Sequence, residues 1–254
     1  MSVLARLQGF GVTFSRERNA LPALAQIDFD LISGEKLAII GESGSGKSTI
    51  ALALAGLLAP EAQLRGTIAW PGYHDRPRPG RDIGFVFQDP GGSLNPVQTI
   101  GSTIAEVVHI NLGLNRRSAV QAAHELIARV RLADPERIAR AYPHQLSGGQ
   151  RQRAAIAAAI AGKPSLLIAD EATSALDTIV QAEIVALIRS LVEEDGMTLV
   201  FISHDIALAA SLADRIAVFR SGRLLECGDT QTLIQQPQHA YTKQLLDAHL
   251  AVEA

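Results

Sequence analysis

Residues 36–49 read KLAIIGESGSGKST, and this stretch decides the fold of the chain. KLAII is a short apolar run typical of a buried strand, and the segment STIALALAGLL carries apolar residues through a helical segment. Between them, GESGSGKS satisfies the spacing of a phosphate-binding loop, which needs a strand before it and a helix after it. The sequence therefore predicts an α/β fold in which a glycine-rich turn joins a strand to a helix.

The residue types in this turn suit phosphate chemistry. Small residues let backbone N–H groups surround phosphate oxygens, and the helix N-terminus adds a positive dipole. Lys47 supplies a point charge, the Ser48 hydroxyl is a ligand for Mg²⁺, and Thr49 adds a phosphate contact. The alternative, a glycine-rich turn with a solvated lysine, leaves the flanking strand and helix unexplained. The predicted nucleotide-binding residues of this loop are Gly41, Glu42, Ser43, Gly44, Ser45, Gly46, Lys47, Ser48 and Thr49.

Two adjacent acids end a second apolar run, LLIADE at residues 166–171. Open α/β sheets bind ligands at the carboxyl ends of their strands, where this run delivers Asp170 and Glu171. We expect Asp170 to hold Mg²⁺ through its water shell and Glu171 to polarise the water that attacks the terminal phosphate of ATP. An ordinary strand end is the alternative, and the phosphate loop in the same chain argues against it.

A third segment, LSGGQ at residues 146–150, precedes a helix. The Ser147 side chain and the backbone amides of Gly148, Gly149 and Gln150 predict a second phosphate-facing helix N-terminus. Because one ATP rarely needs two such cradles, we expect this segment to cover the nucleotide of another subunit. The segment therefore predicts a dimer with ATP between two chains.

The remaining patterns outline the domain. Alternating residues around 12–14 and 27–31 predict an antiparallel β layer, and PGYHDRPRPG at 71–80 predicts an exposed turn. Helical spacing prevails from about residue 100 to residue 160, and the apolar runs LLIAD and TLVFISH, with a helix between them, indicate a mostly parallel sheet. We predict one domain over residues 1–254, with a helical subdomain at about residues 89–160.

Composition limits the class of protein. A chain of 254 residues that is 47% hydrophobic can bury a substantial core, and its net charge of −3 lacks the basic excess of a nucleic-acid binder. The single cysteine, Cys227, favours a reducing cytoplasm, and the N-terminus lacks the pattern of a secretory leader. Apolar stretches such as IALALAGLLAP fall short of the roughly 20 residues that span a bilayer. Other subunits would therefore have to anchor the chain at a membrane.

Five ordered motifs, GESGSGKST, FVFQDP, LSGGQRQR, LLIADEATSALD and FISHD, resemble those of ATP-binding cassette (ABC) transporter ATPases over nearly the whole chain. The resemblance implies a P-loop NTPase of the ABC type that uses ATP and Mg²⁺. It implies that Gln88 contacts the metal and couples the site to the helical subdomain and a membrane partner. It also implies that Asp177 meets the partner ATPase subunit, and that His204 contacts the terminal phosphate and helps to hold the attacking water.

Three further positions are interpreted through the same resemblance. Phe14 matches the region where the family stacks an aromatic ring on adenine. A core role for Phe14 and an adenine contact from Arg18 remain alternatives. Ala172 stands where a proline is common, which alters local rigidity without removing a catalytic group. Cys227 lies in SGRLLECGDT, which is predicted to form a C-terminal β-hairpin.

Two segments, GGSLNPVQTIG at 91–101 and PQHAYTKQLL at 237–246, resemble importer ATPases that serve oligopeptides, dipeptides and nickel. The short tail after the second segment resembles the nickel-type subunit. Such systems imply two permease subunits, a second ATPase subunit that is a related chain or another copy, and an external substrate-binding protein that acts indirectly. The chain is then expected on the cytoplasmic face of the inner membrane, as a peripheral subunit.

The alternative function is a soluble ABC ATPase clamp that acts on nucleic acid. The sequence has no long coiled-coil insertion, second cassette, cysteine cluster or basic tail, so no nucleic-acid partner is expected. A regulatory ATPase that barely hydrolyses ATP is disfavoured, because Glu171 and His204 are both present. The expected function is ATP hydrolysis that energises import of peptides or nickel.

Overall fold

The computed structural model describes residues 2–14, 22–173 and 176–250. Its contacts divide the chain into unit 1, residues 1–77 and 198–254, and unit 2, residues 78–197. The strands are β1 (Val3–Thr13), β2 (Leu24–Ile32), β3 (Lys36–Ile40), β4 (Gln63–Ala69), β5 (Ile83–Val86), β6 (Leu166–Asp170), β7 (Thr198–Ser203), β8 (Arg215–Arg220) and β9 (Arg223–Asp229). The helices are α1 (Lys47–Ala55), α2 (Pro90–Ser93), α3 (Ile100–Leu112), α4 (Arg116–Arg129), α5 (Pro135–Arg140), α6 (Gly148–Ile160), α7 (Thr178–Asp195), α8 (Ile206–Leu212), α9 (Thr230–Gln235) and α10 (Ala240–Leu250).

Unit 1 contains the predicted antiparallel β layer. Strand β1 pairs antiparallel with β2 on one side and with β4 on the other. The side chains of Leu7, Leu24, Ile27 and Leu31 in this layer are almost fully buried, as the alternating sequence pattern indicates. The prediction of this layer is confirmed, with strands longer than expected and with β4 as a third member.

The second sheet of unit 1 carries the glycine-rich loop. Strand β3 lies parallel to β7 and to β8, and β9 pairs antiparallel with β8. Every residue of β7 is buried, which explains its nearly continuous apolar sequence. The predicted C-terminal hairpin is the β8–β9 pair, and Cys227 lies in its second strand.

Unit 2 holds the predicted helical region together with two parallel strands, β5 and β6. Helices α3 to α6 cover most of residues 100–160, which confirms the helices predicted from the spacing of apolar residues in this region. Most of its longer helices begin at a side chain that accepts a backbone hydrogen bond from the first turn. These capping residues are Thr99, Asn115, Asp134, Ser147 and Asp177.

The exposed turn predicted at residues 71–80 is largely confirmed, since Pro77 is its only buried residue. Among the described helices, none is long and apolar enough to cross a membrane.

Candidate functional site

The glycine-rich loop of unit 1 joins β3 to α1 and holds one buried cation. Lys47 is 4% exposed. Its Nζ donates hydrogen bonds to the carbonyl oxygens of Gly41, at 2.8 Å, and Glu42, at 2.9 Å. These bonds keep the ammonium group over the loop backbone, where it can meet phosphate oxygens.

Two glycines allow the loop to pack closely against its neighbours. Gly46 has a φ of 101°, and a Cβ there would lie 2.8 Å from the carbonyl oxygen of Ala23. A Cβ on Gly41 would overlap the carbonyl oxygen of Phe219. A side chain at either position therefore requires a backbone shift, so the loop needs glycine at both.

The rest of the loop presents small side chains and helix amides. Ser43 and Gly44 are exposed, whereas Ser48 and Thr49 are half-buried in the first turn of α1. The Ser45 hydroxyl is buried and has no hydrogen-bond partner among the described residues. Buried polar groups are rarely left unpaired, so this hydroxyl fits a site that a ligand completes. Together with the first N–H groups of α1, the loop suits a bound phosphate.

His204 lies at the same edge of the sheet as this loop. Strands β3 and β7 are parallel with Ile40 opposite Ser203, so Gly41 and His204 both follow the carboxyl ends of neighbouring strands. His204 is exposed, and the next residue, Asp205, caps α8 by accepting the N–H of Leu208 at 2.9 Å. The sheet therefore places the predicted switch histidine on the side where the phosphate loop begins.

Unit 2 brings Gln88 and Glu171 together. Strands β5 and β6 are parallel with Val86 opposite Ala169, so both side chains emerge beyond the same edge. The Gln88 Nε2 donates a hydrogen bond to the Glu171 Oε2 at 3.1 Å. Asp170, the last residue of β6, is 6% exposed. An amide and two acids thus lie at the position that the sequence predicts.

The backbone at Glu171 is in the left-handed region, with a φ of 44°. Few residues other than glycine adopt such a conformation, and it is enriched at functional positions because the surrounding structure must hold it in place. The backbone turns directly after β6, so Glu171 leaves the strand direction while Asp170 remains in it.

The LSGGQ segment begins α6 with a reciprocal pair of hydrogen bonds. The Ser147 Oγ accepts the N–H of Gln150 at 3.3 Å, and the Gln150 Oε1 accepts the N–H of Ser147 at 3.0 Å. This capping box satisfies backbone groups at the helix start and leaves Ser147 exposed. The predicted helix N-terminus is confirmed, and contact with a nucleotide stays a prediction.

Helix α7 starts beside α6. A Cβ on Gly149 would lie 3.1 Å from Val180 Cγ1, and one on Gly148 would lie 3.5 Å from Leu176 Cδ2. Asp177 caps α7 by accepting the N–H of Val180 at 3.0 Å. Its side chain therefore has a local structural role, and the predicted contact with a partner subunit remains untested.

Phe14 follows the last residue of β1 and is 49% exposed. A core role for Phe14 is therefore wrong, because β1 ends one residue earlier and the ring lies outside the packed layer. Adenine stacking on this ring stays a prediction. The alternative residue, Arg18, lies outside the described residues.

Sequence analysis missed the C-terminal residues that contact the phosphate loop. The Tyr241 hydroxyl accepts the backbone N–H of Glu42 at 3.2 Å, and the backbone N–H of Gly222 donates to the carbonyl oxygen of Ser45 at 3.0 Å. The segment PQHAYTKQLL marks the region of Tyr241. Nothing local in that segment indicates a contact with a loop about 200 residues earlier in the chain.

Known proteins identify the class to which this chain belongs. The family model described as ABC transporter matches residues 24–174. A protein of Brucella melitensis, provisionally named as a peptide import ATP-binding protein, is 41% identical over 255 residues, which cover 94% of this chain and 75% of that protein. The glutathione import ATP-binding protein GsiA of Escherichia coli O1:K1 is 39% identical over 260 residues, which cover 95% of this chain and 41% of GsiA.

The structural similarity agrees with the sequence similarity. A solved ATP-binding cassette, a dimer in a post-hydrolysis state bound to ADP and Pi, has a TM-score of 0.77 and 30% identity, over 89% of this chain and 98% of that one. The chain therefore belongs to the ABC transporter family and has the ABC ATPase fold. It binds ATP, and its activity is ATP hydrolysis coupled to transmembrane transport. The predicted fold class and enzyme class are confirmed, and these relatives support a transporter over a nucleic-acid clamp.

Proposed function

We propose that this chain is the ATP-hydrolysing subunit of an importer whose cargo is peptides. The observation that carries the proposal is the similarity, at about 40% identity, to one protein named for peptide import and another named for import of glutathione, itself a small peptide. The segments GGSLNPVQTIG and PQHAYTKQLL favour the same group of importers. Neither of these relatives is named for nickel, so peptides are the preferred cargo.

The phosphate loop is proposed to bind the phosphates of ATP. The buried Lys47 ammonium neutralises charge that develops on the terminal phosphate, and the N–H groups at the start of α1 hold the other phosphate oxygens. His204 aligns the attacking water at the end of β7. Adenine is proposed to stack on the exposed ring of Phe14.

The metal is proposed to be Mg²⁺, which oxygen atoms of Ser48 and Gln88 would hold directly and the Asp170 carboxylate would hold through the water shell of the ion. A hydroxyl, an amide and a carboxylate supply the hard oxygen donors that this ion prefers, and the Gln88 Nε2 is already used by Glu171. When bound, Mg²⁺ supplies charge neutralisation between the terminal phosphates.

Glu171 is proposed to be the general base. Its carboxylate accepts the 3.1 Å hydrogen bond from Gln88, which restrains the side chain at the strand end. A restrained carboxylate can polarise the attacking water and accept its proton. Through the same hydrogen bond, a change in the position or protonation of Glu171 would move Gln88 and, with it, the helical region that begins with α2.

The working assembly is proposed to contain a second ATPase subunit, either a related chain or another copy. The exposed Ser147 and the start of α6, Gly148 to Gln150, would cover the partner's nucleotide, and Asp177 would meet that partner. Support comes from the similar cassette that forms a nucleotide-bound dimer. Two permeases would anchor the pair at the cytoplasmic face of the inner membrane, and an external binding protein would deliver the peptide.

The ATPase proposal is tested by Glu171→Gln, which keeps the shape of the side chain but removes its basicity. We expect ATP affinity to be retained and turnover to fall about 10²- to 10⁴-fold, the usual contribution of a general base. Light scattering with ATP should detect a trapped dimer. Glu193→Gln, an exposed change on α7, is the matched control and should leave turnover unchanged. Normal turnover in Glu171→Gln would remove Glu171 from its assigned role.

The cargo proposal is tested in vesicles that contain the permeases, both ATPase subunits and the binding protein. ATP-dependent uptake of labelled dipeptides and tripeptides is expected. Uptake of nickel without uptake of peptides would contradict the peptide assignment and leave the ATPase assignment intact.

A further inference from the structure

The segment PQHAYTKQLL, residues 237–246, leads into α10 and forms its first two turns, which pack onto the core of unit 1. Tyr241 is 3% exposed and belongs to a cluster with Ile40 of β3 and Val218 of β8. Leu245 and Leu246, one helical turn further on, pack against the same cluster. These apolar contacts fix α10 beside the strand that leads into the phosphate loop.

Polar groups of the segment are used to hold the start of α10 in place. The Glu226 carboxylate of β9 accepts the N–H groups of Gln238, at 2.8 Å, and His239, at 3.1 Å. The His239 Nδ1 accepts the N–H of Tyr241 at 3.1 Å and so caps the helix. Glu226 is partly buried, which opposes ionisation, but the nearby Thr242 side chain and the backbone N–H groups of Gln238 and His239 lower the pKa of its carboxyl. The carboxylate therefore stays ionised at neutral pH and holds the turn.

The Tyr241 hydroxyl is the one polar group of this ring, and it reaches the phosphate loop. It accepts the N–H of Glu42 at 3.2 Å. Arg220 places its Cζ 4.5 Å from the centre of the same ring, so its guanidinium group covers one face of the tyrosine. Burial raises the pKa of Tyr241, which keeps its hydroxyl neutral.

Glu42 is a sensitive position for such a contact. Its carbonyl oxygen accepts the Lys47 ammonium at 2.9 Å and also the N–H of Ser45 at 3.1 Å. The peptide group before the Glu42 Cα is thus bonded to Tyr241 through its N–H, and the peptide group after it is bonded to Lys47 through its carbonyl oxygen. A shift of this residue would move the lysine that contacts phosphate.

We propose that Tyr241 is a positioning residue for nucleotide binding: its hydroxyl, fixed by α10, holds the Glu42 backbone so that the phosphate loop and Lys47 are ready for the nucleotide phosphates. The inference rests on ATP binding by this loop and extends it to a helix near the C-terminus. Tyr241 contacts the loop and does not contact the reacting atoms.

The test is Tyr241→Phe, which removes one hydroxyl oxygen and keeps the ring under Arg220. Loss of a net hydrogen bond of ordinary strength is expected to raise the dissociation constants for ATP and ADP by the same factor, about 2- to 10-fold. KM for ATP should rise with them, while kcat stays within about twofold because no group at the reacting atoms has changed. The matched control, Tyr73→Phe, lies in the exposed turn beside Trp70 and should change none of these values.

Thermal unfolding of each variant separates positioning from stability. A lower unfolding midpoint with unchanged dissociation constants would show a structural role only and would overturn the proposal. A fall in kcat with unchanged KM would overturn it as well. If Tyr241→Phe does not fold, Arg220→Met replaces it, because this change is on the surface and uncovers the ring; a raised KM is then expected, and an unchanged KM contradicts the inference.

The wild-type protein distinguishes this inference from the proposed function. Failure of the wild-type chain to bind ATP would contradict the function itself. Equal ATP binding by the wild type and Tyr241→Phe would contradict only the role of Tyr241.

Discussion

Gly41→Ala offers a quantitative test of how the phosphate loop is held. Gly41 has a φ of 151°, and an added Cβ would overlap the carbonyl oxygen of Phe219 at the end of β8. That oxygen belongs to the backbone, so no rotamer change can relieve the overlap. Gly34→Ala is the matched control in the same unit, because Gly34 has a φ of 78° and nothing within 4 Å of its added Cβ.

The expected difference follows from these two environments. An alanine in the left-handed region costs about 1–2 kcal/mol at either position. Both changes also restrict the unfolded chain, by about 0.4–1 kcal/mol, and this contribution cancels in the comparison. Only Gly41→Ala adds overlap with backbone, which costs about 1–3 kcal/mol. Since each kcal/mol lowers Tm by about 2–4 °C in a domain of this size, Gly41→Ala should melt roughly 2–12 °C below Gly34→Ala.

Nucleotide binding should separate the two variants further. The Gly41 carbonyl oxygen accepts a hydrogen bond from the Lys47 ammonium at 2.8 Å, so a displaced Gly41 backbone displaces the charge that is proposed to meet phosphate. Circular dichroism melts and ATP titrations of both purified variants test this expectation. Gly41→Ala should lose more than about tenfold in ATP affinity, consistent with loss of a charged hydrogen bond, while Gly34→Ala keeps it. Equal Tm and equal affinity in the two variants would refute the argument that the loop requires glycine at position 41.

Two other properties are open to direct measurement. Ser147→Ala removes the capping oxygen of α6 and should lower the free energy of unfolding by about 0.5–2 kcal/mol, as should the control Asn115→Ala at the start of α4. We expect only Ser147→Ala to lower ATPase activity. Equal activities in the two variants would show that Ser147 is only a helix cap. Burial raises the pKa of the Cys227 thiol although Arg215 opposes the shift, so less thiolate is present at neutral pH than for an exposed cysteine. A disulfide reagent should therefore react more slowly with the native than with the denatured protein, and faster as the pH rises; equal rates would contradict the burial of this thiol.

Most of the fold could be predicted because its signals are local. The phosphate loop carries its own strand and helix, and helical spacing over residues 100–160 corresponds to helices α3 to α6. Strand β4 was missed because its residues are almost all exposed, so an alternating burial pattern is absent. The limits of the antiparallel layer were missed for a similar reason, since pairing with β1 rather than apolar alternation decides where these strands end.

The candidate site could be predicted residue by residue but not as a set of contacts. The spacing of LLIADE and FVFQDP indicates two strand ends, and only the parallel pairing of β5 with β6 brings Gln88 within 3.1 Å of Glu171. Likewise, the sequence suggests a phosphate-facing role for Ser147 but does not show the reciprocal bonds with Gln150 that fix it. The left-handed backbone of Glu171 has no sequence signal, because a glutamate there must be held by its surroundings.

Three contacts hold the phosphate loop from a part of the chain that lies far beyond it in sequence. The Phe219 carbonyl lies against Gly41, the Gly222 N–H binds the Ser45 carbonyl, and the Tyr241 hydroxyl binds the Glu42 N–H. These three contacts come from the end of β8, the turn after it and the start of α10. A loop made of small residues gains little rigidity from its own side chains, so its shape must come from such neighbours. The C-terminal segment therefore fixes the backbone of this loop, which gives a physical reason for a distant motif to accompany the loop sequence.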